Sequence, residues 1–295
     1  MKTQQGFTLI ELMLSIVLGS ITTAAGVSLY IASQKTFVAQ ETLTSNQVAV
    51  DRGLNFLTDQ IAKAHMGKAY SRHTAKTPGA GIVVGATNYK YSYSVAKSNL
   101  SGEATGPSFV NRPSDQIVIQ YQTPEIPAID CEGGSIASTS TLVIEKYFVQ
   151  SSSNGTLALA CDAGRFDKDS GSLTGMGSGV VEIIPNVDYF RVMLVISSME
   201  SNGAETQRVV SVPTYKALTT DRKIIGVKLG LISHSNGTIG YAGATNLSSA
   251  MKVFADNVTI NSTVQNAEKK YRYSVNTRTV SLYDGLGSYR GGLWR

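Results

Sequence analysis

The sequence predicts an α+β fold, in which a long N-terminal α-helix packs on a β-rich globular head with an antiparallel sheet. Residues 7–30 are apolar and contain no proline. Apolar residues then recur at helical spacing, and no proline occurs before Pro78. From about Lys76 onward, short β-branched and aromatic runs alternate with Gly, Ser, Asn and Pro clusters. The first two features predict one long helix, and the third predicts strands joined by turns.

The first half of the predicted helix is long enough to cross a membrane. Residues 7–30 would form a helix of about 36 Å, against a hydrocarbon core of roughly 30 Å. Glu11 is the only charged residue in this run. A lone carboxylate in a membrane helix costs about 2.5 to 3.5 kcal/mol on insertion scales, so its presence calls for a function.

The second half of the helix is amphipathic. Its apolar positions follow each other at spacings of four, three and four: Val50, Leu54, Leu57 and Ile61. This spacing places one apolar stripe against a globular domain. The predicted divisions of the chain are a leader at 1–6, a membrane helix at 7–30, its amphipathic continuation at 31–64 and a β-rich head at 65–295.

The head is predicted to consist of short strands. Candidate strands are 82–84, 89–95, 116–121, 142–149, 180–184, 189–196, 209–212, 224–233 and 271–282. The small-residue-rich stretches 98–107, 164–179 and 236–249 are predicted to be surface loops. The dipeptides Asn154-Gly155 and Asn236-Gly237 are typical of tight turns.

Composition and charge exclude several classes of function. Apolar residues make up 42% of the chain and charged residues 16%, which is an ordinary globular balance. The net charge of +5 is dispersed along the sequence, so direct nucleic-acid binding is not indicated. No phosphate-binding loop, zinc-protease, serine-hydrolase or paired CxxC motif occurs, and an enzyme is not predicted. No cofactor is predicted either.

One segment has the spaced carboxylates of a calcium loop. Residues 167–171 read Asp-Lys-Asp-Ser-Gly, but Gly171 and Ser178 stand at positions where an EF-hand needs ligands. The twelfth position in particular requires a bidentate Glu. A flexible polar loop is therefore the favoured interpretation.

The first twelve residues carry a specific motif. A short leader with one charge, Lys2, ends at Gly6, and Phe7 begins the apolar run in which Glu11 lies. An ordinary secretory signal places its cleavage site after the apolar stretch, whereas here the glycine precedes it. The arrangement resembles the class III leader of a type IV prepilin. The competing interpretation is an ordinary signal-anchor whose Glu11 reaches the interface.

The resemblance implies how the N-terminus is processed and used. A prepilin peptidase would cleave between Gly6 and Phe7, and Phe7 would be N-methylated. The subunit would be stored in the bacterial inner membrane, as a single-pass protein with its head in the periplasm, until extraction into a filament. In that filament the Glu11 carboxylate would meet the positive N-terminus of a neighbouring subunit, which would fix the axial register.

The two cysteines, Cys131 and Cys161, are predicted to form a disulfide. An N-terminal anchor would leave both outside the cytoplasm, where disulfides persist. Closing a loop of about 31 residues stabilises a fold by about 3.7 kcal/mol in the chain-entropy model. A catalytic cysteine paired with His65, His73 or His234 is disfavoured, because none of these histidines lies in a recognisable motif.

The rest of the chain resembles the PilW family of minor pilins. The stretches that carry this resemblance are 51–64, 115–121, 130–133, 159–162, 181–189 and 225–233. The family implies a structural subunit that primes type IV pilus assembly and forms part of the tip complex at the cell surface, supporting twitching motility, adhesion and natural transformation by DNA uptake. Its partners would be other minor pilins, the major pilin, the prepilin peptidase, the inner-membrane assembly platform and a large tip adhesin.

Two other functions fit the same residues. One is a J-type minor pseudopilin of type II secretion, which shares the leader, the anchor and a β-rich head. The other is a tip binding module, whose long loops and tyrosines contact an adhesin, a surface or DNA.

Overall fold

A computed structural model describes residues 8–64, 66, 74, 77–79, 81–89, 96–123, 126–167, 172–199, 205–220, 222–237, 249–261 and 271–282. The chain divides into two compact units, Met1–Ser45 and Asn46–Arg295. Helix α1, Leu9–Ala62, contributes residues to both units. The predicted long N-terminal helix is therefore confirmed, and it continues through both Gly26 and Gly53.

Helix α1 ends in a tighter turn. The Lys63 amide donates to the Gln60 carbonyl at 3.1 Å, and the Ala64 amide donates to the Ile61 carbonyl at 3.0 Å. These three-residue bonds satisfy carbonyl groups that have no partner at the end of an α-helix. The predicted helix end near Ala64 lies within two residues of the observed one.

The head, which belongs to the unit Asn46–Arg295, is built mainly from β-strands. The strands are β1 (Gly102–Gly106), β2 (Ser114–Tyr121), β3 (Ala128–Ile129), β4 (Ser135–Ile136), β5 (Leu142–Ser151), β6 (Leu157–Asp167), β7 (Ser172–Thr174), β8 (Val181–Pro185), β9 (Val187–Met199), β10 (Glu205–Ser211), β11 (Lys223–His234), β12 (Met251–Val253), β13 (Asp256–Val258) and β14 (Tyr273–Ser281). Short 3₁₀-helices span Ala86–Asn88 and Lys97–Asn99, and helix α2 spans Val212–Lys216.

Two larger sheets organise the head. Sheet 1 has the order β1-β2-β5-β6-β7, with β8 also pairing with β6, and sheet 2 has the order β10-β9-β11-β14. Every strand pairing that the structure describes is antiparallel. The predicted α+β class with an antiparallel sheet is confirmed.

The main core lies where the C-terminal part of α1 meets the two sheets. Val50, Leu54, Leu57 and Ile61, the stripe predicted from the sequence, are all buried. They belong to one apolar cluster with residues of β2, β5 and β6 from sheet 1 and of β9 and β11 from sheet 2. Burial of a leucine or isoleucine side chain contributes about 1.5 to 3 kcal/mol, so this stripe is a major stabilising contact of the head.

Both sheets are also covered on their other faces. Val83, Tyr89 and Leu100 pack with Val118 and Ile144 on the second face of sheet 1. The hairpin β12–β13 forms a separate apolar cluster with residues of β9, β11 and β14 on the second face of sheet 2. Strand β2 is consequently buried along its whole length.

An ion-pair network joins the two sheets. Arg191 on β9 contacts Asp115 on β2 at 3.2 Å and Asp256 on β13 at 3.0 Å. Asp115 also accepts a hydrogen bond from the Val192 amide at 2.8 Å. Arg112 reaches Asp256 at 3.5 Å. One buried arginine thus connects sheet 1, sheet 2 and the covering hairpin.

Some predicted strands need correction. Residues 82–84 form only an isolated bridge, between Ile82 and Ile119. The side chain of Asn88 accepts hydrogen bonds from the amides of Val84 and Gly85, so these donors are not available to a strand ladder. Stretch 98–107, predicted as a loop, contains β1, and stretch 164–179 contains the end of β6 and β7. Residues 90–95 and most of 236–249 lie outside the described residues.

Candidate functional site

Glu11 lies in the first turn of α1 and accepts hydrogen bonds from its own chain. Both the amide and the hydroxyl of Thr8 donate to Glu11 Oε2 at 3.0 Å. The Glu11 amide donates to Thr8 Oγ1 at 3.4 Å. Gly6 and Phe7, the predicted cleavage and methylation residues, lie outside the described residues.

The Thr8–Glu11 pair is a capping box. In this motif a Ser or Thr and an acid three residues later satisfy each other's backbone amides at the start of a helix. This role of Thr8 is not among the sequence predictions, although the pattern Thr-x-x-Glu before an apolar run signals it. The Glu11 carboxylate, the only charge in the apolar run, thus accepts two hydrogen bonds from Thr8 of its own chain.

The helix surface around Glu11 is apolar and uncovered within its unit. Leu9, Ile10 and Leu29 are each more than 70% exposed. The helix is long and apolar enough to cross a membrane. Such a continuous apolar surface is stable in lipid or against other helices and not in water.

Hydroxyl groups on this helix are satisfied internally. Ser15 donates to the Glu11 carbonyl at 2.7 Å, Thr23 to the Gly19 carbonyl at 2.8 Å and Ser28 to the Ala24 carbonyl at 2.9 Å. Because these donors bond to the preceding turn, they need no water or partner inside a bilayer. The polar residues of the run are thus compatible with a hydrocarbon environment.

The head contains the predicted disulfide. Cys131 and Cys161 are bonded, with their Cα atoms 6.2 Å apart, and both are buried. Cys161 is on β6, while Cys131 lies in the tight loop between β3 and β4. The bond therefore anchors the small hairpin β3–β4 to the middle of sheet 1.

Three carboxylates also hold the loop that contains Cys131. Asp130 Oδ1 accepts from the Glu132 amide at 3.0 Å and from the Gly134 amide at 2.7 Å. Glu132 Oε1 accepts from the Ala163 amide at 2.9 Å. Arg165 forms an ion pair with Asp130. The loop is fixed by these contacts in addition to the disulfide.

Glu145 is the third carboxylate and is fully buried. Its two oxygens accept from the Tyr121 hydroxyl at 2.8 Å, the Cys131 amide at 2.9 Å and the Tyr147 hydroxyl at 2.6 Å. Burial raises the pKa of Glu145, and the three hydrogen bonds oppose that rise. Because Glu145 is buried, it cannot contact a substrate. Its three hydrogen bonds give it a structural role in the head.

The described residues contain no group of three or more His, Cys, Asp or Glu that could hold a metal ion. The calcium-loop alternative at 167–171 falls largely on residues outside the described ranges. His65 and His73 also lie outside them.

Comparison with known proteins identifies the N-terminal segment. Residues 1–27 match the model of the prokaryotic N-terminal methylation motif. The matched segment includes Glu11 and the first part of α1, a helix long and apolar enough to cross a membrane.

The structure was also compared with solved structures and with curated proteins. It is similar to a type IV-like pilin from Thermus thermophilus, with 11% identity, a TM-score of 0.36 and coverage of 80% of this chain and 95% of that chain. The comparison with curated proteins gave no match.

Proposed function

We propose that this chain is a minor pilin of the PilW type, which primes type IV pilus assembly and forms part of the pilus-tip complex. It acts with other minor pilins, the major pilin, the prepilin peptidase and the inner-membrane assembly platform. Before assembly it lies in the inner membrane with its head in the periplasm, and after assembly it lies at the tip. Its role is structural and requires no catalysis.

The observation that carries the proposal is the capped Glu11 at the start of an uncovered apolar helix. In lipid, a carboxylate with hydrogen-bond donors from its own chain is less costly than one with none. The capping box therefore makes storage of the subunit in the membrane possible. A neighbour's N-terminal ammonium offers a stronger, charge-assisted partner for the same carboxylate.

Assembly in this proposal is an exchange of partners. Glu11 gives up part of its capping interaction with Thr8 and pairs with the amine of the adjacent subunit's Phe7. The apolar surface of α1 leaves the lipid and packs against other helices. Charge pairing sets the axial position, while apolar packing supplies cohesion.

The size of the head favours a subunit present in few copies. The head includes two larger sheets, two small hairpins and the C-terminal part of α1. A body of this size is bulky to stack along an entire shaft, and a position at the tip removes that restriction. Twitching motility, adhesion and DNA uptake are then indirect outputs of pilus formation.

Mass spectrometry of the N-terminus of the protein isolated from its host tests the class. We expect a chain that begins at Phe7 and carries one methyl group on its α-amine. A chain that retains residues 1–6 in isolated membranes and in pili would overturn the proposal.

Glu11→Gln separates capping from charge pairing. Glutamine keeps an oxygen that accepts from Thr8 but removes the charge that attracts an ammonium. We expect normal membrane insertion and cleavage. Incorporation into pili should fall roughly tenfold or more, which corresponds to the loss of about 1.4 kcal/mol of ion-pair energy. Incorporation is measured by immunoblotting of sheared pili.

The control for this experiment is Thr8→Val, which removes the hydroxyl donor but keeps the Thr8 amide and the Glu11 charge. We expect this variant to enter pili. If Glu11→Gln assembles as well as the unchanged chain, charge pairing at this position is not required.

A deletion strain distinguishes the minor pilin from the pseudopilin. Loss of pili with normal protein secretion supports the proposal, whereas loss of secretion with normal pili supports the pseudopilin. A tip binding module would instead leave pili in normal number and abolish attachment.

A further inference from the structure

A buried Asp–His pair lies at one end of sheet 2. Asp188 is the second residue of β9, and His234 is the last residue of β11. His234 Nδ1 lies 2.7 Å from Asp188 Oδ2. Asp188 is fully buried and His234 is 5% exposed, so this contact is shielded from water.

Only one of the two Asp188 carboxylate oxygens forms a hydrogen bond with a described residue. Asp188 Oδ1 is buried and has no hydrogen-bond partner within the described parts of the chain. Within the described parts of the chain, an ionised carboxylate in this position has one side-chain donor, the imidazole of His234. If that imidazole is neutral, the pair carries one uncompensated buried negative charge, which is strongly destabilising.

Three strands and their connections meet at this pair. The His234 amide donates at 3.0 Å to the carbonyl of Asn186, the residue before β9. The Phe109 amide donates to the Asp188 carbonyl at 3.0 Å. Just beyond β11, the Ser235 amide donates to the Arg272 carbonyl at 3.0 Å. A change at the pair therefore reaches β9, β11 and the start of β14.

Aromatic residues close the site on the β14 side. The ring of Tyr271 lies 4.6 Å from the His234 ring, and that of Tyr273 lies 5.8 Å from it, measured between centroids. Tyr271 and Tyr273 are titratable groups that lie against the His234 ring. Burial raises the pKa of Tyr273, and the nearby Asp188 raises it further, so Tyr273 stays neutral.

We propose that Asp188 and His234 form a proton-dependent latch, which holds the ends of β9, β11 and β14 together while the pair retains its shared proton. Loss of that proton leaves the buried negative charge without compensation and loosens this end of sheet 2. The proposal concerns the head alone and is independent of the role in pilus assembly.

The direction of the pH dependence follows from linkage. Burial raises the pKa of Asp188, and the hydrogen bond and charge of His234 oppose the rise. A group whose pKa is higher in the folded than in the unfolded chain contributes stability below its unfolded pKa, and that contribution is lost as the pH rises through the folded pKa. The latch is thus closed in acid and loosens as the pH rises through the raised pKa of Asp188 in the folded chain.

Hydrogen exchange of the full-length chain in detergent tests the latch. Protection of the amides of His234 and Ser235 is measured from about pH 4 to about pH 9, corrected for intrinsic exchange, a range that brackets ordinary carboxyl and imidazole pKa values. The amide of Val83, which donates to the Val118 carbonyl on sheet 1, serves as the internal reference. We expect protection at His234 and Ser235 to fall relative to Val83 by about tenfold for each pKa unit of difference between the folded and unfolded states.

Asp188→Asn removes the charge but can still donate a hydrogen bond to neutral His234. We expect the relative protection in this variant to be nearly independent of pH. The matched control is Asp162→Asn, a buried carboxylate on sheet 1 that is paired with Lys146 at 2.9 Å. This control is expected to keep the wild-type pH profile at His234 and Ser235.

If Asp188→Asn does not fold, His234→Gln tests the latch in its place. Glutamine can donate to Asp188 but carries no charge to oppose the effect of burial on the Asp188 pKa, so the fall in protection at Ser235 should move to higher pH than in the wild-type chain. Relative protection that is independent of pH in the wild-type chain, or that falls equally in the wild-type chain and in Asp188→Asn, would overturn the proposal.

Discussion

Glu145 shows how a single buried carboxylate can organise its surroundings. It lies on β5 between Val143 and Tyr147, whose side chains point into the main core. Two tyrosine hydroxyls and the Cys131 amide donate to it. Without the carboxylate, these three donors would be buried and unsatisfied. Glu145 thereby holds the disulfide loop and the centre of sheet 1 in one hydrogen-bonded group.

We expect Glu145→Ala to lower the free energy of unfolding of the full-length chain by about 3 to 5 kcal/mol, since each buried unsatisfied donor costs about 1 to 3 kcal/mol. Denaturant unfolding in detergent measures this change. The control is Glu182→Ala, because Glu182 is exposed and should change stability by less than about 0.5 kcal/mol. Equal effects of the two substitutions would contradict this role of Glu145.

The same residue predicts a pH dependence. Burial raises the pKa of Glu145, so its contribution to stability is greatest in acid and falls as the pH rises through its folded pKa. Glu145→Gln should make the unfolding free energy less dependent on pH above the ordinary glutamate pKa of about 4.3. A slope unchanged from that of the wild-type chain would show that Glu145 does not titrate in the folded head.

Residue-scale features differ in how far the sequence predicts them. The Cys131–Cys161 disulfide follows from having two cysteines behind an N-terminal anchor, and the position of Glu11 follows from the leader motif. The capping role of Thr8 was predictable from its spacing to Glu11. The hydrogen-bond partners of Glu145 were not, because the Cys131 amide and the Tyr121 hydroxyl come from distant parts of the chain. The alternation of side chains along β5 indicates only that Glu145 faces inward, and it does not indicate which groups donate to it.

At the scale of single elements, Gly53 permits the close contact between α1 and β8. A Cβ atom at this position would overlap Ile184 Cγ1 and lie 2.9 Å from Ile184 Cδ1 and 3.2 Å from the Ile183 carbonyl oxygen. Ile184 is fully buried and cannot move aside easily. The glycine, which lowers helix propensity in isolation, is therefore required by packing.

We expect Gly53→Ala to destabilise the head by about 1 to 3 kcal/mol, the usual cost of overpacking, even though alanine favours the helix by up to about 1 kcal/mol. Gly26→Ala is the matched control on the same helix, because a Cβ there meets nothing within 4 Å. Denaturant unfolding should separate the two variants. A Gly53→Ala chain that is more stable than the wild type would show that β8 moves freely.

The strands illustrate where sequence patterns succeed and fail. Predicted strands 142–149 and 224–233 lie within β5 and β11, because their β-branched and aromatic residues match the propensity of a buried strand. Strand β6, Leu157–Asp167, was not predicted, since it contains Ala, Gly and Asp, which are depleted in strands. It forms because β5 pairs with it over ten residue pairs and β8 pairs with its other edge. Pairing with a strand on each edge thus overrides local propensity.

At the scale of the whole head, Arg191 forms ion pairs with carboxylates on two other strands. It joins β2, β9 and β13 through Asp115 and Asp256. Both Arg191 and Asp115 are buried. Removing one partner of such a pair leaves a buried charge without compensation.

We expect Arg191→Met to reduce the unfolding free energy by about 3 to 5 kcal/mol, and the addition of Asp115→Asn to restore part of the loss. The control is Arg278→Met, because the Arg278–Asp51 pair is 41% and 46% exposed and such pairs contribute about 0 to 1 kcal/mol. A double-mutant cycle by denaturant unfolding measures the coupling. Strictly additive effects of Arg191→Met and Asp115→Asn would contradict the network.

The burial of sheet 1 on both faces has an evolutionary consequence. Strand β2 is enclosed by the main core on one side and by Val83, Tyr89 and Leu100 on the other. Substitutions in its middle are constrained from two directions, so natural variation should concentrate in surface connections. The surface connections can then change from one relative to another while the buried scaffold that carries them stays the same.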